Sequence, residues 1–151
     1  MKPFVVLLLS FLIILTGTAL LGPAVDLALA GTVSMTIMLL FTAVGHFAFT
    51  RGMTMMLPGF IPLKKQLVWA TGILEIAAAI GIHISGYRMI TGWLLILFFL
   101  VLLPANIYAA KRKVNYQKGS YTGKGLSYLW IRLPLQLIYI GWVYFFIVHT
   151  N

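Results

Sequence analysis

Five apolar runs, separated only by short connections, dominate this 151-residue chain and restrict what it can fold into. Each is close to the roughly 20 residues that a helix needs to cross a hydrocarbon layer of ~30 Å. Hydrophobic residues make up 62% of the chain, far above the roughly 45–50% that is usual in soluble domains. We therefore expect an all-α integral membrane protein with five spans, at residues 4–21, 27–50, 66–84, 89–110 and 126–148.

The first run fits either a retained membrane anchor or a secretory signal peptide. Lys2 precedes it, and the small residues Ala28 and Ala30 resemble a cleavage site before Gly31. Its apolar core is longer than the roughly 7–15 residues usual in a signal peptide, which favours an anchor. The sequence thus predicts an anchor helix at 1–22, followed by a four-helix membrane domain at 24–151.

Positive charge is distributed very unevenly between the two predicted sides of the membrane. The chain has eleven Lys and Arg against two acids. With five spans, Arg88 is the only basic residue on one side, and Arg132 lies inside the last span. The other side holds the remaining nine, namely Lys2, Arg51, Lys64, Lys65, Lys111, Arg112, Lys113, Lys118 and Lys124. The positive-inside rule then predicts a multi-pass inner-membrane protein with a cytoplasmic N-terminus and an external C-terminus.

The basic residues are expected to set topology and to meet anionic lipid head groups, because they lie in short loops between apolar runs. A nucleic-acid partner is not expected, since that function needs a folded basic surface. No cysteine is present, so the chain itself cannot exchange thiols and disulfides or ligate an iron–sulfur cluster. The three histidines are far apart and show no metal-ligand spacing, so no metal site is predicted.

Five polar residues interrupt the apolar runs at similar predicted depths. Glu75, ten residues after Lys65, would lie about 15 Å from the membrane edge at a rise of ~1.5 Å per residue. The same count places the others in the same half of the bilayer. The cluster consists of His46, Glu75, Asn106, Arg132 and Gln136. Either a ligand pocket that opens toward the cytoplasm or an internal hydrogen-bond network would produce this pattern.

Glu75 needs a partner, because an ionised carboxylate is costly in hydrocarbon. The simplest pairing is with Arg132, and the alternative is a protonated, neutral Glu75. His46 could serve as a hydrogen-bonded structural residue or take part in proton transfer. Pro104 and Pro134 each free a backbone carbonyl close to the polar residues, which would suit kinked walls around a cavity.

Six short motifs in this order resemble the DoxX-like family of small membrane proteins over about residues 33–148. They are GHF at 45–47, LP and IP at 57–62, GILE at 72–75, RMITGW at 88–93, LPANIYA at 103–109 and RLPLQ at 132–136. The resemblance implies a four-helix bundle whose recurrent polar positions fall on the five residues above. The N-terminal span at 1–22 departs from that pattern as an additional helix. Family relatives include a subunit associated with thiosulfate:quinone oxidoreduction and proteins that resemble maturation factors or receptor chaperones.

Two functions from different classes follow. In the first, the polar residues form a pocket for an amphipathic small molecule such as a quinone or another isoprenoid-like lipid, and the protein is a redox-accessory subunit. In the second, the cluster only holds the bundle together, and Trp130, Trp142 and Tyr144 engage a membrane-protein partner during assembly. A transporter or proton channel ranks behind both, because one midplane acid and five short spans provide little machinery for it.

Overall fold

The computed structural model describes residues 2–21 and 25–150, most of which are helical. Its helices are α1 (Lys2–Leu21), α2 (Leu27–Ala48), α3 (Thr50–Thr54), α4 (Lys64–Gly81), α5 (Arg88–Lys111) and α6 (Leu129–Val143). A 3-10 turn, Gly125–Tyr128, precedes α6, and a π-helical turn, Tyr144–Val148, extends it. The predicted all-α fold class is confirmed, and every predicted span coincides with a helix to within a few residues.

Four of these helices are long and apolar enough to cross a membrane, as expected for a membrane protein. They are Lys2–Leu20, Leu27–Ala48, Arg88–Lys111 and the combined segment Gly125–Val148. The helix α4 is not among them, because its 18 residues include Lys64, Lys65 and Glu75.

The core lies where α1, α2, α4, α5 and the last helix meet. Its fully buried side chains include Leu7, Met35, Leu39, Ile82 and Val143. The helix α1 belongs to this bundle rather than standing apart, since the ring of Phe11 packs edge-on against Trp142 with 5.0 Å between ring centroids.

The two longer connections meet at one end of the molecule, which we call the basic end: α3, the start of α4, the end of α5 and residues 112–124. Gly52 of α3 is buried there directly against the backbone of Tyr116. At the opposite end, Arg88 donates from Nη2 to Thr32 Oγ1 at 3.1 Å and to the Phe146 carbonyl at 2.9 Å. The sequence prediction that both longer loops share one side agrees with this arrangement.

Candidate functional site

A close approach between α2 and α4 positions the deepest acidic residue of the chain. A Cβ atom on Gly72 would lie 3.0 Å from the Cβ of His46 and 3.2 Å from the ring of Phe47. Only a glycine leaves room for the two backbones at this distance without displacing a neighbour. Glu75 follows Gly72 by about one turn and therefore faces His46 across the helix pair.

In the described part of the chain, His46 makes the only contact within 4.0 Å between a basic side chain and a carboxylate, that of Glu75. Nε2 of His46 lies 3.5 Å from Oε1 of Glu75, and the two side chains are 13% and 4% exposed. The expected pairing of Glu75 with Arg132 is wrong. The guanidinium of Arg132 instead lies over the ring of Tyr128, 5.6 Å from its centroid and one turn earlier in the chain.

Thr71 fixes the other side of the His46 ring. Its Oγ1 lies 2.9 Å from Nδ1 of His46 and 2.8 Å from the Val68 carbonyl, which accepts a hydrogen bond from it. When the hydroxyl donates to that carbonyl, its oxygen can accept a hydrogen bond from an Nδ1–H of His46. Nε2 then faces Oε1 of Glu75 across 3.5 Å, a distance that suits a charge contact when both ring nitrogens carry protons.

The second carboxyl oxygen of Glu75, Oε2, is buried and has no hydrogen-bond partner among the described residues. A buried oxygen without a partner costs free energy, and this cost is higher for a charged group. A donor to this oxygen would therefore have to come from outside the described residues. Sequence reasoning selected Glu75 and His46, but it identified neither their pairing nor the role of Thr71 as a partner.

Asn106 and Gln136 form a second, separate polar contact between α5 and the last helix. Nδ2 of Asn106 donates to Oε1 of Gln136 at 3.1 Å, and Nε2 of Gln136 donates to the Phe99 carbonyl. Both side chains are buried. The structure thus brings together four of the five predicted residues as two pairs, and it places Arg132 in a third environment.

Arg132 lies close enough to the connection at 112–124 to affect Tyr116 electrostatically. Burial raises the pKa of Tyr116 above its ordinary value of 10.0, and the positive charge of Arg132 partly opposes that rise. The charge of Arg132 thus affects Tyr116 at the basic end and lies over the ring of Tyr128, and it makes no ion pair with Glu75.

Comparison with known proteins gives a family but no activity. No curated protein and no solved structure matches this chain significantly. One family model does match, over residues 35–147, and this range includes α2 from its third turn onward, all five polar residues and most of the π-helical turn. Since that match covers most of the sequence, the chain belongs to the family described as a domain of unknown function, DUF8561.

Proposed function

We propose that this protein spans the membrane five times and binds the polar head of an amphipathic ligand at His46 and Glu75. The ligand class is a quinone or another isoprenoid-like lipid, and the role is that of a redox-accessory subunit, as the DoxX-like resemblance implies. The observation that carries this proposal is the buried Oε2 of Glu75, which has no hydrogen-bond partner among the described residues although its carboxyl lies beside His46.

The course of α4 supports a fifth crossing. At its start, Lys64 Nζ donates to the Leu57 carbonyl at the basic end, at 3.3 Å. Two residues after its end, His83 Nε2 lies 2.7 Å from Thr36 Oγ1 in the first half of α2. Eighteen residues of helix are about 27 Å long, close to the ~30 Å thickness of the hydrocarbon layer. The helix therefore runs most of the way between the two ends.

The outer surface of α4 offers a route for a lipid-soluble ligand. Ile73, Leu74 and Ile76, which flank Glu75, are 59%, 57% and 37% exposed. An apolar surface of this kind would face acyl chains in a membrane. A ligand dissolved in the lipid would thus approach laterally and reach the carboxyl by passing between α4 and its neighbours.

The chemistry of the site suits a ligand with a hydroxyl or carbonyl group at the end of an apolar tail. Oε2 can accept a hydrogen bond from a hydroxyl, and an imidazolium of His46 can donate a hydrogen bond to a carbonyl oxygen. A quinol or quinone ring carries these groups. The ligand would supply the donor that the buried carboxylate lacks.

The test is binding of a short-tailed ubiquinone to the purified full-length chain in detergent. Binding is measured as quenching of tryptophan fluorescence. We expect saturable binding that Glu75→Gln weakens by about tenfold or more, because hydrogen bonds to charged groups contribute about 1.5–3 kcal/mol. Asp26→Asn is the matched control, since Asp26 is the chain's only other acid and caps the start of α2 at the opposite end. Absence of saturable binding, or equal affinities for the two variants, would contradict the proposal.

The second candidate, an assembly factor with a purely structural polar cluster, is favoured by the Asn106–Gln136 contact. Those amides bond to each other and to a backbone carbonyl, so they need no ligand. Trp130 is 84% exposed and is available to a partner. Trp142 is less suitable than the sequence suggested, because its Nε1 donates to the Gly31 carbonyl at 3.0 Å and its ring packs on Phe11. A photo-crosslinker at Trp130 that captures one defined membrane protein, in a chain that binds no quinone, would favour this candidate.

A further inference from the structure

The positive charge at the basic end has no side-chain carboxylate of the same chain to neutralise it. The sequence contains only two acids. Asp26 Oδ1 accepts a hydrogen bond from the Leu29 amide at 2.8 Å, at the other end of α2. Glu75 is buried beside His46. Counter-charge for the basic end must therefore come from outside the chain.

A cavity of about 260 Å³ opens at this end between the α3–α4 connection, the start of α4 and the end of α5. Two of its lining residues, Lys64 and Arg112, are cationic. Tyr108 and Tyr121 line it as well, and Leu57 and Met55 supply apolar surface. The cavity thus combines positive charge, hydroxyl donors and an apolar wall in a space large enough for a phosphate and its ester carbons.

Arg112 is held in place in a way that leaves its donors free. Its guanidinium carbon lies 5.7 Å from the ring centroid of Tyr108 and 6.0 Å from that of Tyr121. Such cation–π contacts orient the planar group through its faces. Within residues 2–21 and 25–150 no hydrogen bond joins this guanidinium to a protein acceptor, so its N–H edges are available to an oxyanion.

We propose that this cavity binds the phosphodiester of an anionic phospholipid, with Arg112 and Lys64 contacting the phosphate oxygens. A lipid is favoured over a free phosphate because the cavity lies where the long apolar helices α2 and α5 end and because part of its wall is apolar. Among the described residues, Lys64 Nζ has only the Leu57 carbonyl as a partner, at 3.3 Å, so no carboxylate there compensates its positive charge before the phosphate binds. This site is distinct from the His46–Glu75 pair, and neither depends on the other.

The test is native mass spectrometry of the full-length chain in a neutral detergent, titrated with phosphatidylglycerol and separately with phosphatidylcholine. We expect phosphatidylglycerol to bind at least about tenfold more tightly, and the double variant Lys64→Gln/Arg112→Gln to lose about tenfold of that affinity. The matched control is Lys111→Gln/Lys118→Gln, which removes the same charge from the same end but outside the cavity. Its affinity should stay within about threefold of the unaltered protein.

Equal losses in the two double variants would overturn the site, because they would show only diffuse attraction to the basic end. Displacement of the lipid by millimolar inorganic phosphate would also overturn it in favour of a small-anion site. If the double variant does not fold, Lys64→Gln alone decides, since the Lys64 side chain makes a single long hydrogen bond within the described part of the chain. We then expect a loss of about threefold to fivefold, and an unchanged affinity would contradict the proposal.

Discussion

At the scale of single residues, the ring of His46 is contacted at both nitrogens by one neighbouring helix. Thr71 contacts one ring nitrogen and Glu75 faces the other, and both partners come from α4. A ring held on both sides keeps one orientation, with Nε2 directed at Oε1 of Glu75. Thr71 is thus a positioning residue for the pair, whereas Glu75 offers the free oxygen.

Replacing Thr71 by valine keeps the shape of the side chain but removes the hydroxyl. We expect Thr71→Val to lower the free energy of unfolding by about 1–2 kcal/mol, because Nδ1 of a largely buried His46 loses its partner. The NMR shift of Nδ1 should change as well. Both would be measured in detergent micelles, by denaturant titration and by nitrogen-15 spectra of labelled histidine.

Thr42→Val provides the comparison. The hydroxyl of Thr42 bonds only to the carbonyls of Met38 and Leu39 in its own helix. Its removal should change stability by less than about 0.5 kcal/mol and leave the histidine spectrum unaltered. Indistinguishable effects of the two substitutions would show that Thr71 does not position His46.

At the scale of elements, α2 and α3 behave almost as one bent helix. The amide of Phe49 donates to the Gly45 carbonyl at 2.9 Å, and the amide of Met53 donates to the Phe49 carbonyl at 3.0 Å. The hydrogen-bond ladder therefore continues past Arg51, which the sequence treats as the end of the span. The contact of His46 with Glu75 places the two residues at the same level of the bundle.

The site also shows which of its features could be predicted from the sequence. Apolar runs and charge placement locate the helices and select Glu75 and His46 as buried polar residues. Pairing, however, depends on which helix faces reach each other, and the sequence favours Arg132 for Glu75 only because their charges are opposite. The close packing at Gly72, a tertiary feature, brings His46 to Glu75, and Arg132 instead lies over Tyr128 one turn away in its own segment.

A substitution at Gly52 tests how the connection at 112–124 is attached to α3. A Cβ atom at this position would lie 1.7 Å from the carbonyl oxygen of Tyr116, which is backbone and cannot rotate away. We expect Gly52→Ala to detach the connection, to cost about 2 kcal/mol of stability and to speed tryptic cleavage after Lys118 by about tenfold. Timed proteolysis followed by mass spectrometry measures this cleavage.

Gly59→Ala is the control, because nothing lies within 4 Å of the Cβ atom it would add. Unchanged cleavage in Gly52→Ala would mean that the connection is not held by α3.

The packing of the connection at 112–124 against α3 should also respond to pH. Burial raises the pKa of Tyr116, so docking is fully favoured below the ordinary value of 10.0 and weakens as the phenolate forms at higher pH.

At the scale of the whole molecule, the placement of charge and the helix contacts give one consistent picture of its two ends. Arg88 is the single basic residue opposite the basic end, and the positive-inside rule would disfavour it there. Its contacts explain its presence, since it joins the first turns of α2 to the C-terminal turn through Thr32, Phe146 and Thr150. These hydrogen bonds thus explain why Arg88 departs from the charge asymmetry of the chain.

Because the chain contains no cysteine, labelling of single introduced cysteines can show which side of the membrane each end faces. Phe60 precedes α4 and is 85% exposed, and Ser85 follows that helix and is also exposed. We expect a membrane-impermeant maleimide to label Ser85→Cys in intact spheroplasts and to label Phe60→Cys only after permeabilisation. The cysteine-free chain serves as the blank. Labelling of both positions from one side would exclude α4 as a fifth crossing, whereas the reversed pattern would keep the crossing and invert the orientation that the basic residues predict.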